Sequence, residues 1–334
     1  MMEHDELAPT ADDLDDWSDE PSLMAAMAVT RARIEAAKPA HEAARPSITF
    51  PLRDKPEHFP AFAARSALFR VGRPESQASE ATLEPVRVKA QGGYEIHCQG
   101  PRLTMSDKLV WEIALQMAKE ASSDLSASAP VSLSEIARRM GWSDRSGKAL
   151  AWIWTSLQRL ERARVSFVLP DGRQGGGALL ASVTKSEDGA VSIRLDPDFA
   201  WPALSRDKQF RIRFDRRRLL RSSLAQWLHD FFSTHSEARP LTFDYLRELC
   251  GFHAKKSRFP ASLIEALDEL KALAPELVRG YSIDRKRRDS DQWVLTVDRG
   301  SEPAEFVMPE RREARGSGAA SQPARPAPRR ALAL

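Results

Sequence analysis

An α+β fold of two tandem modules is expected from three observations. The part of the chain with sustained periodicity, about residues 60 to 300, divides into two halves with the same element order. Each half carries a short segment that Ser or Thr can cap and glycine stops, followed by a longer segment with an apolar stripe at helical spacing. In both halves the apolar period then changes to two, in segments joined by glycine-rich or charged turns. Helix, short helix, longer helix and antiparallel hairpin is the winged helix-turn-helix order. Two tandem winged-helix (helix-turn-helix) domains between flexible N- and C-terminal tails follow.

Residues 1–60 are rich in Ala, Pro and acids, so a mostly disordered acidic tail is expected there, with one short helix from Pro21 to Ala37. Residues 61–203 are the first winged-helix domain, with an N-terminal extension. It opens with strands Glu84–Ala90 and Tyr94–Gln99, turned by Gly92-Gly93. A helix runs from Ser106 to about Glu120. Ser106 or Asp107 can cap it, and Leu109, Ile113 and Met117, with Val110 and Ala114, form its stripe. Ser132 or Ser134 caps a short helix, Leu133–Met140, ended by Gly141. The next helix spans about Asp144–Arg164, with Leu150, Ile153, Leu157 and Leu160 facing inward. Strands Val165–Leu169, Ala178–Lys185 and Ala190–Leu195 follow, joined by a loop from Asp171-Gly172 to Gly177 and by Glu187-Asp188-Gly189.

Residues 204–300 repeat the order as the second winged-helix domain. A helix covers about Arg216–Thr234. Thr242 caps a short helix to Cys250, stopped by Gly251, and a longer helix spans Phe259–Ala274. Pro260 suits its first turn, and Leu263, Leu267 and Leu270 face inward. Strands Leu277–Asp284 and Gln292–Asp298 are joined by the turn Arg285-Lys286-Arg287-Arg288-Asp289. Residues 301–334, a mixture of Arg, Ala, Pro and Gly, form the flexible C-terminal tail.

A chain of 334 residues can hold two domains with a core each. No apolar run approaches the roughly 18 residues of a membrane span, and Leu23–Val29 is too short and follows acids, against a signal peptide. The cytoplasm is the expected compartment. Cys98 and Cys250 stand far apart, giving neither a disulfide framework nor a zinc cluster.

The net charge of +3 matters less than its placement. Met1–Met24 holds nine acidic side chains and no Lys or Arg, whereas Ser205–Gly300 holds 20 basic against 14 acidic residues. A basic body suits a polyanion, and the acidic head either competes for the same surface or is a solvated, solubilising tail.

In a helix-turn-helix the second helix enters the major groove with its N-terminal part at the base edges. On the first such helix Arg145, Lys148, Thr155, Arg159 and Arg162 avoid the apolar stripe. Each alone could be ordinary solvated surface; together they suit double-stranded DNA. In the second unit His253, Lys255, Lys256, Ser257, Arg258 and Ser262 crowd the helix start, where the positive pole adds to attraction for phosphate. Arg285, Lys286, Arg287 and Arg288 form a wing tip, where four cations repel one another unless an anion meets them. Arg216-Arg217-Arg218 with Arg221 has two readings, a backbone contact or a solvated run. Trp111, Trp227, Phe231 and Phe232 read as core; of Trp152 and Trp154, one is expected to be buried and the other to touch DNA or the neighbouring domain.

Catalysis is not expected. Gly141 to Lys148 resembles a phosphate loop but has five residues between the glycines, and Ala149 stands where a Ser or Thr should bind magnesium. Gly175-Gly176-Gly177 reads as a flexible wing loop. The seven histidines give no metal spacing, and Tyr94, Tyr245 and Tyr281 lie near no His pair that could serve a nicking tyrosine. No cofactor and no metal are expected.

Ala64-Arg65-Ser66-Ala67-Leu68-Phe69, Leu103-Thr104-Met105-Ser106-Asp107 leading to Val110-Trp111-Glu112, and Phe231-Phe232-Ser233 through Pro240-Leu241 to Leu249-Cys250-Gly251 resemble the TrfA family of plasmid replication initiators. The likeness spans roughly residues 60 to 300. It implies two winged-helix domains on tandem direct repeats (iterons) at an origin, and a monomer–dimer equilibrium of self-association. It also implies opening of an AT-rich segment, with recruitment of the host initiator and replicative helicase. Ser47-Ile48-Thr49-Phe50-Pro51-Leu52 stands where family members carry a glutamine-led clamp peptide, and lacks the glutamine, so clamp binding by that peptide is not expected. Two rivals remain: a winged-helix repressor or autoregulator on operator DNA, and a protein–protein adaptor with little duplex affinity.

Overall fold

The computed structural model describes residues 48–55, 57–72, 82–235, 237, 239–285 and 292–300, with the backbone of 306–307. Most of both expected tails, the helix at Pro21–Ala37 and the turn Lys286-Arg287-Arg288 lie outside these residues. Among the described residues the fold is mixed α and β, with eight α-helices and five small sheets.

The opening strands are β1 (His58–Pro60), β2 (Phe69–Arg70), β3 (Thr82–Val88), β4 (Glu95–Gly100) and β5 (Leu103–Thr104). Then come α1 (Met105–Ala121), β6 (Ala129–Val131), α2 (Leu133–Arg139), α3 (Gly147–Arg162), β7 (Arg164–Val168), β8 (Gln174–Ala178), β9 (Ser182–Lys185) and β10 (Val191–Arg194). A connecting stretch holds α4 (Pro197–Arg206), β11 (Gln209–Arg211) and α5 (Phe214–Arg217). The last part is α6 (Ser223–Ser233), β12 (Leu241–Thr242), α7 (Phe243–Leu249), α8 (Phe259–Leu273), β13 (Gly280–Arg285), β14 (Trp293–Asp298) and β15 (Phe306–Val307).

One topology occurs twice. α1-β6-α2-α3-β9-β10 and α6-β12-α7-α8-β13-β14 share an element order, and their antiparallel sheets have matching strand orders, β6-β10-β9 and β12-β14-β13. The first copy has an inserted hairpin, β7-β8, which completes the sheet β3-β4-β7-β8.

Local chemistry sets the helix ends. α1 is capped by Thr104 and not by Ser106 or Asp107: the Thr104 N–H and hydroxyl both donate to Asp107 Oδ2 at 2.9 Å. Ser132 accepts from the Glu135 N–H at 3.3 Å and Thr242 from the Tyr245 N–H at 3.3 Å, which start α2 and α7. Gly141 at φ +81° and Gly251 at φ +62° end the same two helices in the left-handed conformation that favours glycine.

Three expectations are corrected, and one helix is added. The helix expected over Arg216–Thr234 is two, α5 and α6, because Ser222 caps α6 by accepting from the Ala225 N–H at 3.0 Å. The strand expected at Ala178–Lys185 is split between two sheets around the buried pair Leu179 and Leu180. Gly175-Gly176-Gly177 is no loop but lies within β8, paired to β7. Side chains are excluded there: a Cβ on Gly175 would lie 2.6 Å from Phe167 Cζ and 2.8 Å from Pro202 Cβ, so α4 packs directly on the strand backbone. α4 itself went unrecognised, although Asp196 accepts from the Asp198 N–H at 3.1 Å and Pro197 occupies its first turn.

Buried apolar residues of both repeats form one continuous cluster. Trp111, Trp227, Phe231 and Phe232 are buried as expected, and so are Phe50 and Phe59 from the segment assigned to the tail. Phe62 stacks on Phe167 at 5.1 Å and meets Phe199 edge-on at 6.1 Å. A buried ionic group joins the repeats. Lys108 and Glu112 of α1 meet Arg217 of α5 and Asp230 of α6, with Lys108 Nζ 2.6 Å from Asp230 Oδ2 and Arg217 bridging Glu112 at 2.5 Å and Asp230 at 2.6 Å.

Candidate nucleic-acid interface

Each repeat presents a short helix, a glycine-ended turn and a longer helix whose start is exposed and cationic. In the first, Asp144 Oδ1 accepts from the Ser146 N–H at 2.8 Å, and Ser146 caps α3 by accepting from the Ala149 N–H at 3.5 Å. Arg145 and Lys148 stand exposed at that end. Helical spacing continues the outer stripe through Ala151, Thr155, Gln158 and Arg162. Thr155 is half-buried and Arg162 is exposed at the far end.

Arg159 does not belong to that surface. It is 8% exposed and donates from Nε at 3.0 Å and Nη2 at 2.6 Å to Asp107 Oδ1, which also accepts from Ser156 Oγ at 2.6 Å. Its position, one residue beyond Gln158 and three beyond the buried Ser156, rotates it off the outer stripe toward α1, where a buried carboxylate needs a cation. Arg217 is corrected likewise: it lies in the buried ionic group, pushed to an even higher pKa because Asp230 and Glu112 outweigh its burial. Its neighbour Arg216 donates to the Leu273 carbonyl at 3.4 Å and stands 3.7 Å from Glu276, while Arg218 and Arg221 are exposed. Trp152 and Trp154 are both half-buried, Trp152 against Trp142 at 5.4 Å and Trp154 beneath Lys185 at 5.9 Å.

In the second repeat a single 3-10 turn, Lys256–Arg258, leads into α8. His253, Lys255, Lys256, Ser257 and Arg258 are all exposed around it, and Ser262 is half-buried one turn on. Lys256 Nζ is 2.8 Å from Asp244 Oδ1, so part of its charge is already met within the protein. Arg285 projects from β13 with its guanidinium 5.0 Å from the Trp293 ring centroid. Lys286, Arg287 and Arg288 lie outside the described residues.

Two residues escaped the sequence reading. Trp293 and Arg247 line a groove of about 450 Å³ between α7, the start of α8 and β14, with Phe243, Asp244, Lys256 and Phe259. Trp293 shares the inward face of β14 with Leu295 and Val297 by strand alternation, but lies past the edge of the core and stays 39% exposed. The period-two pattern signals the face and not where the core ends. Neither cysteine fits a reactive role: burial pushes the Cys98 thiol up to about 11 and Cys250 to about 12. Among the described residues, no helix is long and apolar enough to cross a membrane.

The family model described as TrfA protein matches residues 47–278 of this chain. None of the curated proteins matches it. Among solved structures, domains 2 and 3 of RctB are similar at 15% identity, covering 68% of this chain and 95% of that one, with a TM-score of 0.45. The Pi initiator protein in complex with iteron DNA is similar at 13% identity, covering 59% of this chain and 92% of that one, with a TM-score of 0.40.

Proposed function

The chain belongs to the TrfA family, and from this premise we propose that it is a plasmid replication initiator binding direct repeats (iterons) in double-stranded DNA at an origin. On this reading, residues 61–203 and 204–300 are tandem winged-helix domains, α3 and α8 are their recognition helices, and β9-β10 and β13-β14 their wings. The observation that carries the reading is the repeated topology with an exposed cationic start on the second helix of each pair. Arg145 and Lys148 at one start, and His253, Lys255, Lys256, Ser257 and Arg258 at the other, are suited to phosphate and base-edge contacts. Arg162, Thr155, Ser262 and Arg285 extend the two surfaces, and Lys286, Arg287 and Arg288, outside the described residues, add cations to the second by sequence.

Several copies side by side on tandem repeats would strain the adjacent duplex. Bending or unwinding DNA costs a few kcal/mol, which an AT-rich segment reduces and multiple protomers can supply. The host initiator and helicase then act on the opened strand, and self-association limits the active form. Nucleotide hydrolysis by this chain plays no part in the scheme.

A footprint on the DNA beside the gene, with permanganate detection of unpaired thymines, tests this. Protection of several direct repeats with reactive bases in a neighbouring AT-rich stretch supports initiation. A single protected inverted repeat over a promoter supports a repressor, and no protection supports an adaptor.

A further inference from the structure

One turn beyond its cationic start, the outer face of α8 changes character. Ala261, Ile264 and Glu265 are exposed there, while Leu263, Ala266, Leu267 and Leu270 fill the opposite face. Ile264, at 39% exposure, is one of four large apolar side chains left in solvent among the described residues. Glu265 has no hydrogen-bond or ion-pair partner among the described residues. The acids that follow it are engaged: Asp268 Oδ1 accepts from the Tyr281 hydroxyl at 2.8 Å, and Glu269 accepts from the Arg221 and Ser222 backbone N–H groups.

An isoleucine in water and a free carboxylate beside a cluster of cations are both unfavourable for a surface that meets only phosphates. Both become useful at the floor of a major groove. Thymine there presents a 5-methyl group that apolar side chains cover, and cytosine presents an N4 amino group that a carboxylate accepts from. The cations Lys255 and Arg258, with the exposed His253 beside them, suit phosphates, which position a duplex but carry no base information. A protein partner is a poorer fit, since one isoleucine and one alanine ringed by charge fall far short of the roughly 800 Å² a stable interface buries on each side.

Resting on the reading of α8 as a major-groove helix, we propose that Ala261, Ile264 and Glu265 are its sequence-reading residues. Ile264, with Ala261, covers a thymine 5-methyl group, and Glu265 accepts a hydrogen bond from a cytosine N4 amino group. The outer face of α3, with Lys148, Thr155, Gln158 and Arg162, has different chemistry. The two halves of one site therefore differ in sequence, with the thymine and cytosine preference confined to the half under α8.

The test is selection of duplexes from a random-sequence library by the full-length protein, followed by replacement of each thymine in the winning duplex by deoxyuridine. Loss of one methyl contact should weaken wild-type binding about fourfold at one or two positions, the equivalent of about 0.8 kcal/mol per buried carbon. Ile264→Ala should bind those deoxyuridine duplexes and the thymine parent equally. Glu265→Ala, which removes the accepting oxygen, should lose its preference at one C·G pair in the same half-site. Identical deoxyuridine profiles and base preferences for wild type and both variants would overturn the proposal while leaving DNA binding intact. Failure of the library to yield any enriched duplex would instead remove the DNA-binding reading on which it stands.

Discussion

Lys108 of α1 and Asp230 of α6 meet at 2.6 Å with neither side chain exposed, so the first helices of the two repeats are joined by a buried ion pair. Arg217 and Glu112 complete the group, burial pushes the Glu112 carboxyl above its usual range, and His229 Nδ1 lies 3.0 Å from Asp230 Oδ1. Such a group costs desolvation that its attraction only partly offsets, so its stronger effect is on register. Helices that slide or rotate against each other strand a bare charge. The two repeats are thereby held in one relative arrangement, which fixes the spacing between the starts of α3 and α8.

Removing one member should be severe. Burial opposes ionisation of Asp230, but Arg217 and Lys108 prevail and hold its carboxyl well below the usual range. Asp230→Ala leaves two buried cations short of a counter-charge, and a loss of about 3–5 kcal/mol is expected in chemical denaturation. Because the folded pKa is depressed, the native contribution is present above the ordinary carboxylate range. It is lost as pH falls toward the folded value.

Asp207 should give the opposite slope. Burial raises its pKa to about 6, although it accepts hydrogen bonds from the Phe62 N–H at 3.0 Å and the Tyr94 hydroxyl at 2.7 Å. Its contribution is complete below the unfolded value near 4 and is lost as pH rises through about 6. Denaturation at several pH values across that window should show this loss in the wild type and a flatter profile in Asp207→Asn.

Two arginine or lysine variants on the same helix should separate cleanly. Arg159→Ala strands the buried Asp107 carboxylate, so a melting experiment should show a loss of about 3 kcal/mol or more. Lys148→Ala should leave the melt within about 0.5 kcal/mol of wild type and reduce the salt slope of duplex binding by about 0.9. Equal melting temperatures for the two variants would contradict the placement of Arg159.

Gly175→Ala tests the glycine strand. With Phe167 Cζ and Pro202 Cβ both inside 3 Å of a new Cβ, α4 must move off β8. A loss of about 1–3 kcal/mol is expected from overpacking, whereas Gly172→Ala, with nothing within 4 Å, should suffer only the cost of its φ of +82°.

The sequence made the repeated order legible because its signals are local. Ser132, Thr242, Gly141 and Gly251 mark helix ends by chemistry confined to a single turn, and the stripe Ile153-Leu157-Leu160 identifies an inward face by spacing alone. The errors come from contacts distant in sequence. Arg159 looks like an exposed cation until Asp107, 52 residues earlier, is brought beneath it. The triple glycine reads as a loop because the helix packed on it begins some 20 residues later. Cations at the starts of α3 and α8 were recognisable. Trp293 and Ile264 were not, since exposed apolar residues follow a core-like pattern and only packing reveals where the core stops.

The most direct measurement is the salt dependence of binding to one repeat-containing duplex. It would be made for wild type, Arg145→Ala with Lys148→Ala, Lys255→Ala with Arg258→Ala, and the fourfold variant. If both helix starts grip the same duplex, each double variant lowers the slope of log Kobs against log salt by about 1.8, and the fourfold variant by about twice that. A slope that responds to only one of the two pairs, or to neither, would contradict binding by both repeats.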